Sequence, residues 1–140
     1  MAGTYPEYVT IKRSNVTLLG DGIGKTIITG DKNVHDAAGR VSTYYTATLI
    51  VEGDGFIGSG ITVKNTAGPE KEQAVATRTS ANQAAFYRCS FEGYQDTLYV
   101  NKGVQFYREC DIYGSVDFIF SQTVKAVFQN CRIYARNPGG

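Results

Sequence analysis

No window of this 140-residue chain approaches the roughly 18 uninterrupted apolar residues that a transmembrane helix requires, so a helical membrane span is excluded. Charge of one sign is missing too. Fourteen lysines and arginines stand against thirteen aspartates and glutamates, and the net charge of +1 leaves no electrostatic footprint for nucleic acid or an acidic surface. An acidic partner must then be held by local contacts. Cysteine is scarce and odd in number: Cys89, Cys110 and Cys131 form no Cys-x-x-Cys pair, which argues against a zinc site and a full disulfide framework. Histidine occurs once. His35 lies in a polar stretch beside Asp36 with no serine nucleophile elbow nearby, so a Ser-His-Asp triad is disfavoured and a surface loop is its expected place. The opening Met-Ala-Gly-Thr-Tyr-Pro-Glu-Tyr lacks the basic start and apolar run of a signal peptide. Helical apolar stripes are absent as well.

What is present is a repeat. The three cysteines are spaced 21 residues apart, and the same offset pairs Phe91 with Ile112 and Ile133, Gly93 with Gly114, Asp96 with Asp117, Leu98 with Ile119, and Tyr99 with Phe120. Phe86-Tyr87-Arg88 recurs as Phe106-Tyr107-Arg108 one residue early, which predicts that Glu109 is an extra residue absorbed by a bulge or shifted bend. Gly20-Asp21-Gly22-Ile23 recurs as Gly53-Asp54-Gly55-Phe56.

Periods of about 20 to 50 residues signal solenoids, and the residue types decide which kind. Segments 9–11, 16–19, 26–29, 46–51, 61–64, 85–91, 104–112 and 126–134 are short, rich in β-branched or aromatic residues, and separated by Gly, Asn and Asp. Three such strands and their corners fill one period. The expected fold is all-β, a parallel β-helix of about six coils, in one domain spanning residues 1–140, with the cysteines in one inward ladder. Composition agrees, at 42% hydrophobic and 19% charged residues.

Two apparent nucleotide motifs fail on inspection. Gly-x-x-x-x-Gly-Lys-Thr ending at Lys25-Thr26 needs glycine where Leu19 stands, and Gly-x-Gly-x-x-Gly starting at Gly20 needs a third glycine at Lys25. Asn15-Val16-Thr17 fits a glycosylation sequon, which matters only in a secreted chain.

The chemistry is expected at the repeated aspartates. On adjacent coils Asp96 and Asp117 would lie on one face, within about 5 to 7 Å, where two carboxylates cannot both ionise normally. One becomes a proton donor and the other a nucleophile or base. The competing reading is an aspartate ladder that hydrogen-bonds corner amides. The flanks, Tyr94-Gln95-Asp96-Thr97-Leu98-Tyr99 and Val116-Asp117-Phe118-Ile119-Phe120, add the rings and amide donor that a sugar ring and a developing oxyanion need.

These blocks carry a resemblance. Asn65-Thr66-Ala67-Gly68-Pro69, Gln73-Ala74-Val75-Ala76, Tyr94 to Tyr99, and Gly114-Ser115-Val116-Asp117-Phe118-Ile119-Phe120 resemble, in order and separation, the signature blocks of plant pectin methylesterases. The glycine-rich stretches Gly20 to Gly30 and Gly53 to Ile57 match as well. The resemblance implies a right-handed parallel β-helix that hydrolyses C6 methyl esters of galacturonate in methylated homogalacturonan. It implies no metal or other cofactor, and an extracellular, cell-wall location. Asp117 would be the nucleophile and Asp96 the general acid and then base. Gln73 and Gln95 would serve the oxyanion, and Tyr99, Phe120 and Tyr44 would line the sugar groove. A proteinaceous inhibitor is an expected partner; nucleic acid and membrane are not.

The departures shape further expectations. Ser121-Gln122-Thr123-Val124-Lys125 replaces the family's Gly-Asn-Ala run, which predicts an altered corner beside Asp117. The family's arginine block, resembling Leu-Gly-Arg-Pro-Trp, has no counterpart before Gly140, and tryptophan is absent. The chain therefore reads as a domain truncated at both ends, a poor enzyme by itself, whose last coil around Val127 to Tyr134 invites self-association. A catalytically silent pectin-binding or partner-binding β-helix is the alternative, and a polygalacturonan glycosidase or lyase the third.

Overall fold

The structure, a computed structural model, describes residues 1–36 and 40–139. It contains fourteen strands: β1 (Gly3–Pro6), β2 (Val9–Ile11), β3 (Thr17–Leu19), β4 (Thr26–Gly30), β5 (Leu49–Val51), β6 (Ile57–Ser59), β7 (Thr62–Asn65), β8 (Thr77–Ser80), β9 (Ala84–Tyr87), β10 (Ser90–Glu92), β11 (Leu98–Arg108), β12 (Asp111–Gly114), β13 (Ile119–Gln129) and β14 (Arg132–Ala135). Two single 3₁₀ turns, Thr43–Tyr45 and Pro69–Lys71, are the helical elements among the described residues.

All the strand pairings are parallel, and strands β1, β4, β7, β10, β12 and β14 make one face in that order. A second face carries β2, β5, β8 and the first half of β11, and a third carries β3, β6, β9 and its second half. The chain thus winds a right-handed parallel β-helix of five coils, with β14 opening a sixth. From the fourth coil onward the second and third faces fuse, because β11 pairs with β8 and β9 in turn and β13 follows β11 along its length. Gly103, at φ 98°, passes over the Ala81 carbonyl where a Cβ would have no room.

Alternation fills the interior. Leu49, Val51, Phe86, Leu98 and Ile112 are fully buried. Phe86, Tyr107 and Phe128 stack one per coil, with ring centroids 5.1 and 4.8 Å apart. The buried Tyr107 hydroxyl donates to Gln105 Oε1 at 2.7 Å, and Gln105 Nε2 donates to the Thr79 and Lys102 carbonyls, so these interior polar groups are paired.

The cysteine ladder stands as expected. Cys89 and Cys110 are fully buried, Cys131 follows one coil on, and all three thiols are free. The Sγ of Cys110 contacts the Phe86 carbonyl and that of Cys131 the Tyr107 carbonyl, the same step repeated.

Three sequence expectations are corrected. Glu109 is no insertion: Phe86 pairs with Tyr107 and Tyr87 with Arg108, a constant 21-residue register, so the Phe-Tyr-Arg echo is a coincidence. The shift lies instead in β11, between Val100 and Lys102 opposite β8. The two Gly-Asp-Gly runs occupy different corners, because Gly20 lies against Ser59 and Gly60 before β4 while Asp54 lies against Asn15 after β5. Ser121 to Lys125 forms no altered corner; it continues β13 in register with β11. Strand limits also differ. The runs at 85–91, 104–112 and 126–134 each cross a corner, at Arg88, Glu109 and Asn130, whose φ values of 50°, 52° and 52° break the strand. Alternation alone does not reveal a one-residue left-handed break.

Candidate active site

Asp96 and Asp117 end the corners that lead from the first face to the second. Both are left-handed, at φ 63° and 46°, a conformation that Asp tolerates better than most residues. The corners stack. The Asp96 amide donates to the Val116 carbonyl and the Leu98 amide to the Phe118 carbonyl, while Leu98 pairs with Ile119 and Tyr99 with Phe120. Neighbouring rungs lie about 4.8 Å apart, so the carboxylates share one face as the repeat implies.

Their surroundings differ sharply. Asp96 is 8% exposed, whereas Asp117 is open to solvent. One coil earlier the equivalent position is Val75, fully buried, so an apolar group lies where water or a cation would otherwise support the Asp96 charge. Burial pushes the Asp96 carboxyl up to about 6, and the nearby Asp117 charge adds to the rise. A proton donor thus stands beside an exposed carboxylate.

A groove of about 550 Å³ opens over Asp96 and is lined by Tyr44, Tyr45, Tyr99, Asn101, Phe120 and Gln122 among others. Tyr99 and Phe120 stack at 4.2 Å with planes 19° apart, and Tyr44 meets Tyr99 edge-on at 6.4 Å. All three expected sugar-lining rings are therefore brought together. Asp117, Gln73 and Gln95 are not part of its lining. The Ala74 amide donates to the Gln95 carbonyl at 3.2 Å, which places the segments carrying the two glutamines on successive coils. The Gln73 Oε1 accepts from Arg40 Nη2 at 2.9 Å.

A slightly larger cavity, about 570 Å³, lies at the corner before the first face, beside Gly20, Tyr87, Arg88, Glu109 and Arg132. Its charges are already paired: Arg88 with Glu109 at 2.8 Å, Arg132 with Asp111 outside the lining at 2.7 Å, and Asp21 with the N-terminal amine at 3.4 Å. The Asp96 groove instead joins a wall of aromatic rings to the acid whose carboxyl is pushed up. Among the described residues, no cluster of three or more His, Cys, Asp or Glu could hold a metal ion. His35 is exposed in a loop, 3.5 Å from Glu72.

Arg78 is the residue that sequence reasoning missed. Only 2% exposed, it pairs with Glu52 at 2.9 Å, donates to Ser80 Oγ, and places its guanidinium 3.5 Å from the centre of the Tyr44 ring. It thereby ties the Tyr44 loop to β8. The signal was the alternation Thr77-Arg78-Thr79, which sends the threonines inward and Arg78 outward once β8 is known to be a strand.

The sequence profile of the family described as pectinesterase matches residues 1–140. The chain belongs to the pectinesterase family. It is 63% identical over 139 residues to the Arabidopsis thaliana protein called putative pectinesterase/pectinesterase inhibitor 38, covering 97% of this chain and 28% of that protein. Against pectinesterase 2 of Citrus sinensis it is 58% identical, covering 98% of this chain and 26% of the relative. It superposes on the pectin methylesterase from carrot with a TM-score of 0.94 at 46% identity, over 99% of this chain and 43% of that one. A second solved pectin methylesterase, in complex with a hexasaccharide, gives 0.90 at 30% identity, over 97% of this chain and 45% of that one. This chain thus spans about a quarter of those curated relatives and under half of the solved chains. Within that span lie both aspartates, both glutamines and the ring-lined groove.

Proposed function

We propose that the protein carrying this chain hydrolyses the C6 methyl esters of galacturonate units in pectin. The Asp117 carboxylate attacks the ester carbonyl carbon, and the amide N–H groups of Gln73 and Gln95 hold the resulting oxyanion. The tetrahedral adduct collapses, its bond to the methoxy oxygen breaks, and Asp96 delivers its proton to release methanol. Asp96, now a carboxylate, takes a proton from water; the hydroxide attacks the acyl carbon, the bond to Asp117 breaks, and free galacturonate leaves with both acids restored. Tyr99, Phe120 and Tyr44 offer faces and an edge on which sugar rings pack.

One observation carries this reading: the acid that must be protonated is the one held near 6 by burial, and its neighbour is the exposed one. Residues 1–140 form one domain unit of that enzyme, acting at the cell wall outside the cell. The exposed Val127 and Ile133 of the last coil support self-association when this chain stands alone, and a proteinaceous inhibitor is a further partner. Methanol release from methylated pectin tests the activity. Binding without methanol would favour a silent polysaccharide-binding β-helix, and shortening of the polymer would favour a glycosidase or lyase.

A further inference from the structure

The Gln73 amide has two ends, and only the nitrogen end can serve an oxyanion. Its oxygen is already committed to Arg40 at 2.9 Å. A guanidinium donates and never accepts, so turning the amide over would set N–H against N–H; Arg40 fixes which end faces away from it. Arg40 is itself anchored. Its Nη2 also donates to the Glu72 carboxylate, which lies 3.5 Å from His35 Nε2. The Val41 amide donates to the Val34 carbonyl, and the Val34 amide to the Gln73 carbonyl, so the loop that carries Arg40 grips the backbone of the residue it orients. The neighbouring Gln95 side chain has no such partner among the described residues.

We propose that Arg40 is a positioning residue that turns the Gln73 amide with its N–H donors toward the reacting ester; this rests on the esterase reading above. In the full protein carrying this chain, Arg40→Ala should lower kcat on methylated pectin about tenfold with KM unchanged, because an oxyanion donor acts in the transition state. Arg40→Lys, which keeps a donor-only head, should recover most of the rate. The double variant Arg40→Ala with Gln73→Ala should be no slower than Gln73→Ala alone, because the two act as one unit. A loss in the double variant that multiplies the two single losses, or an effect confined to KM, overturns the proposal. A second readout needs no activity. In a side-chain amide NMR spectrum, Arg40→Ala should shift the Gln73 NH₂ pair and leave the other amides in place; an unmoved pair also overturns it. Absence of methanol release from the unmodified protein would instead fell the esterase reading, with the spectrum still deciding whether Arg40 orients Gln73.

Discussion

Two ladders of left-handed corners run along this solenoid with the same 21-residue step, and they do different things. At one, Arg88, Glu109 and Asn130 hold φ near 50° at the surface, and Arg88 and Glu109 stack as opposite charges 2.8 Å apart. At the other, Asp96 and Asp117 hold similar φ values, but like charges stack and the lower one rests on buried Val75. The backbone device is shared, so it does not make chemistry. The first ladder lets its charges cancel in water, where such pairs contribute little. The second withholds both water and a counter-charge from Asp96, and this raises a corner aspartate to about 6, well above the ordinary carboxyl range.

The largest effect in breaking this comparison should come from Asp117→Asn, which removes the nucleophile and should leave no measurable methanol release while circular dichroism stays unchanged. Asp96→Asn should lower the rate about 10² to 10⁴ fold, the usual scale for a positioned general acid. Gln95→Ala or Gln73→Ala should each cost about 10² to 10³ fold, the scale of a lost oxyanion donor.

The pH dependence sharpens the contrast further. Methanol release should fall as pH rises through about 6, where Asp96 loses its proton. Asp117→Asn should lower the Asp96 value without restoring the ordinary one, because burial is the larger cause; the carboxyl signal followed by NMR titration checks this. Stability follows the same sign. The folded state binds the Asp96 proton more tightly than the unfolded chain does, so this contribution is fully present below the ordinary Asp range and is lost as pH rises through about 6. Asp96→Asn should therefore stabilise the fold at pH 7.5 by about 1 to 3 kcal/mol in urea unfolding, while making no such gain at pH 3. The smallest effect belongs to the other ladder: Arg88→Ala should leave both the thermal midpoint and the activity where they were, since its partner is at the surface.

Much of the fold was legible in the chain because a solenoid writes its geometry in one dimension. Equal spacing of Cys89, Cys110 and Cys131, with Leu98 over Ile119 and Tyr99 over Phe120, states the period, and stacking coils one strand spacing apart converts period into contact. Two parts escaped. The Phe-Tyr-Arg echo suggested an extra residue at Glu109, because identity of letters outweighed register; the pairing of Phe86 with Tyr107 shows that ring shape, not identity, is what stacks. Strand β8 went unseen because Thr77-Arg78-Thr79-Ser80 is polar throughout, and its burial comes from the coils on either side.

The sequence by itself determined the repeat, the parallel stacking, and the placing of Asp96 beside Asp117, since all three depend only on residue type at fixed intervals. Tertiary structure alone decided that burial raises the Asp96 carboxyl, that Tyr44 comes back from a separate loop to meet Tyr99 over Arg78, and that Arg40 reaches Gln73. The physical reason is that burial and long-range contact are properties of what lies on the neighbouring coils and loops. No interval within one strand encodes them, so Val75 beneath Asp96 and Arg78 beneath Tyr44 have meaning only once the chain has wound upon itself.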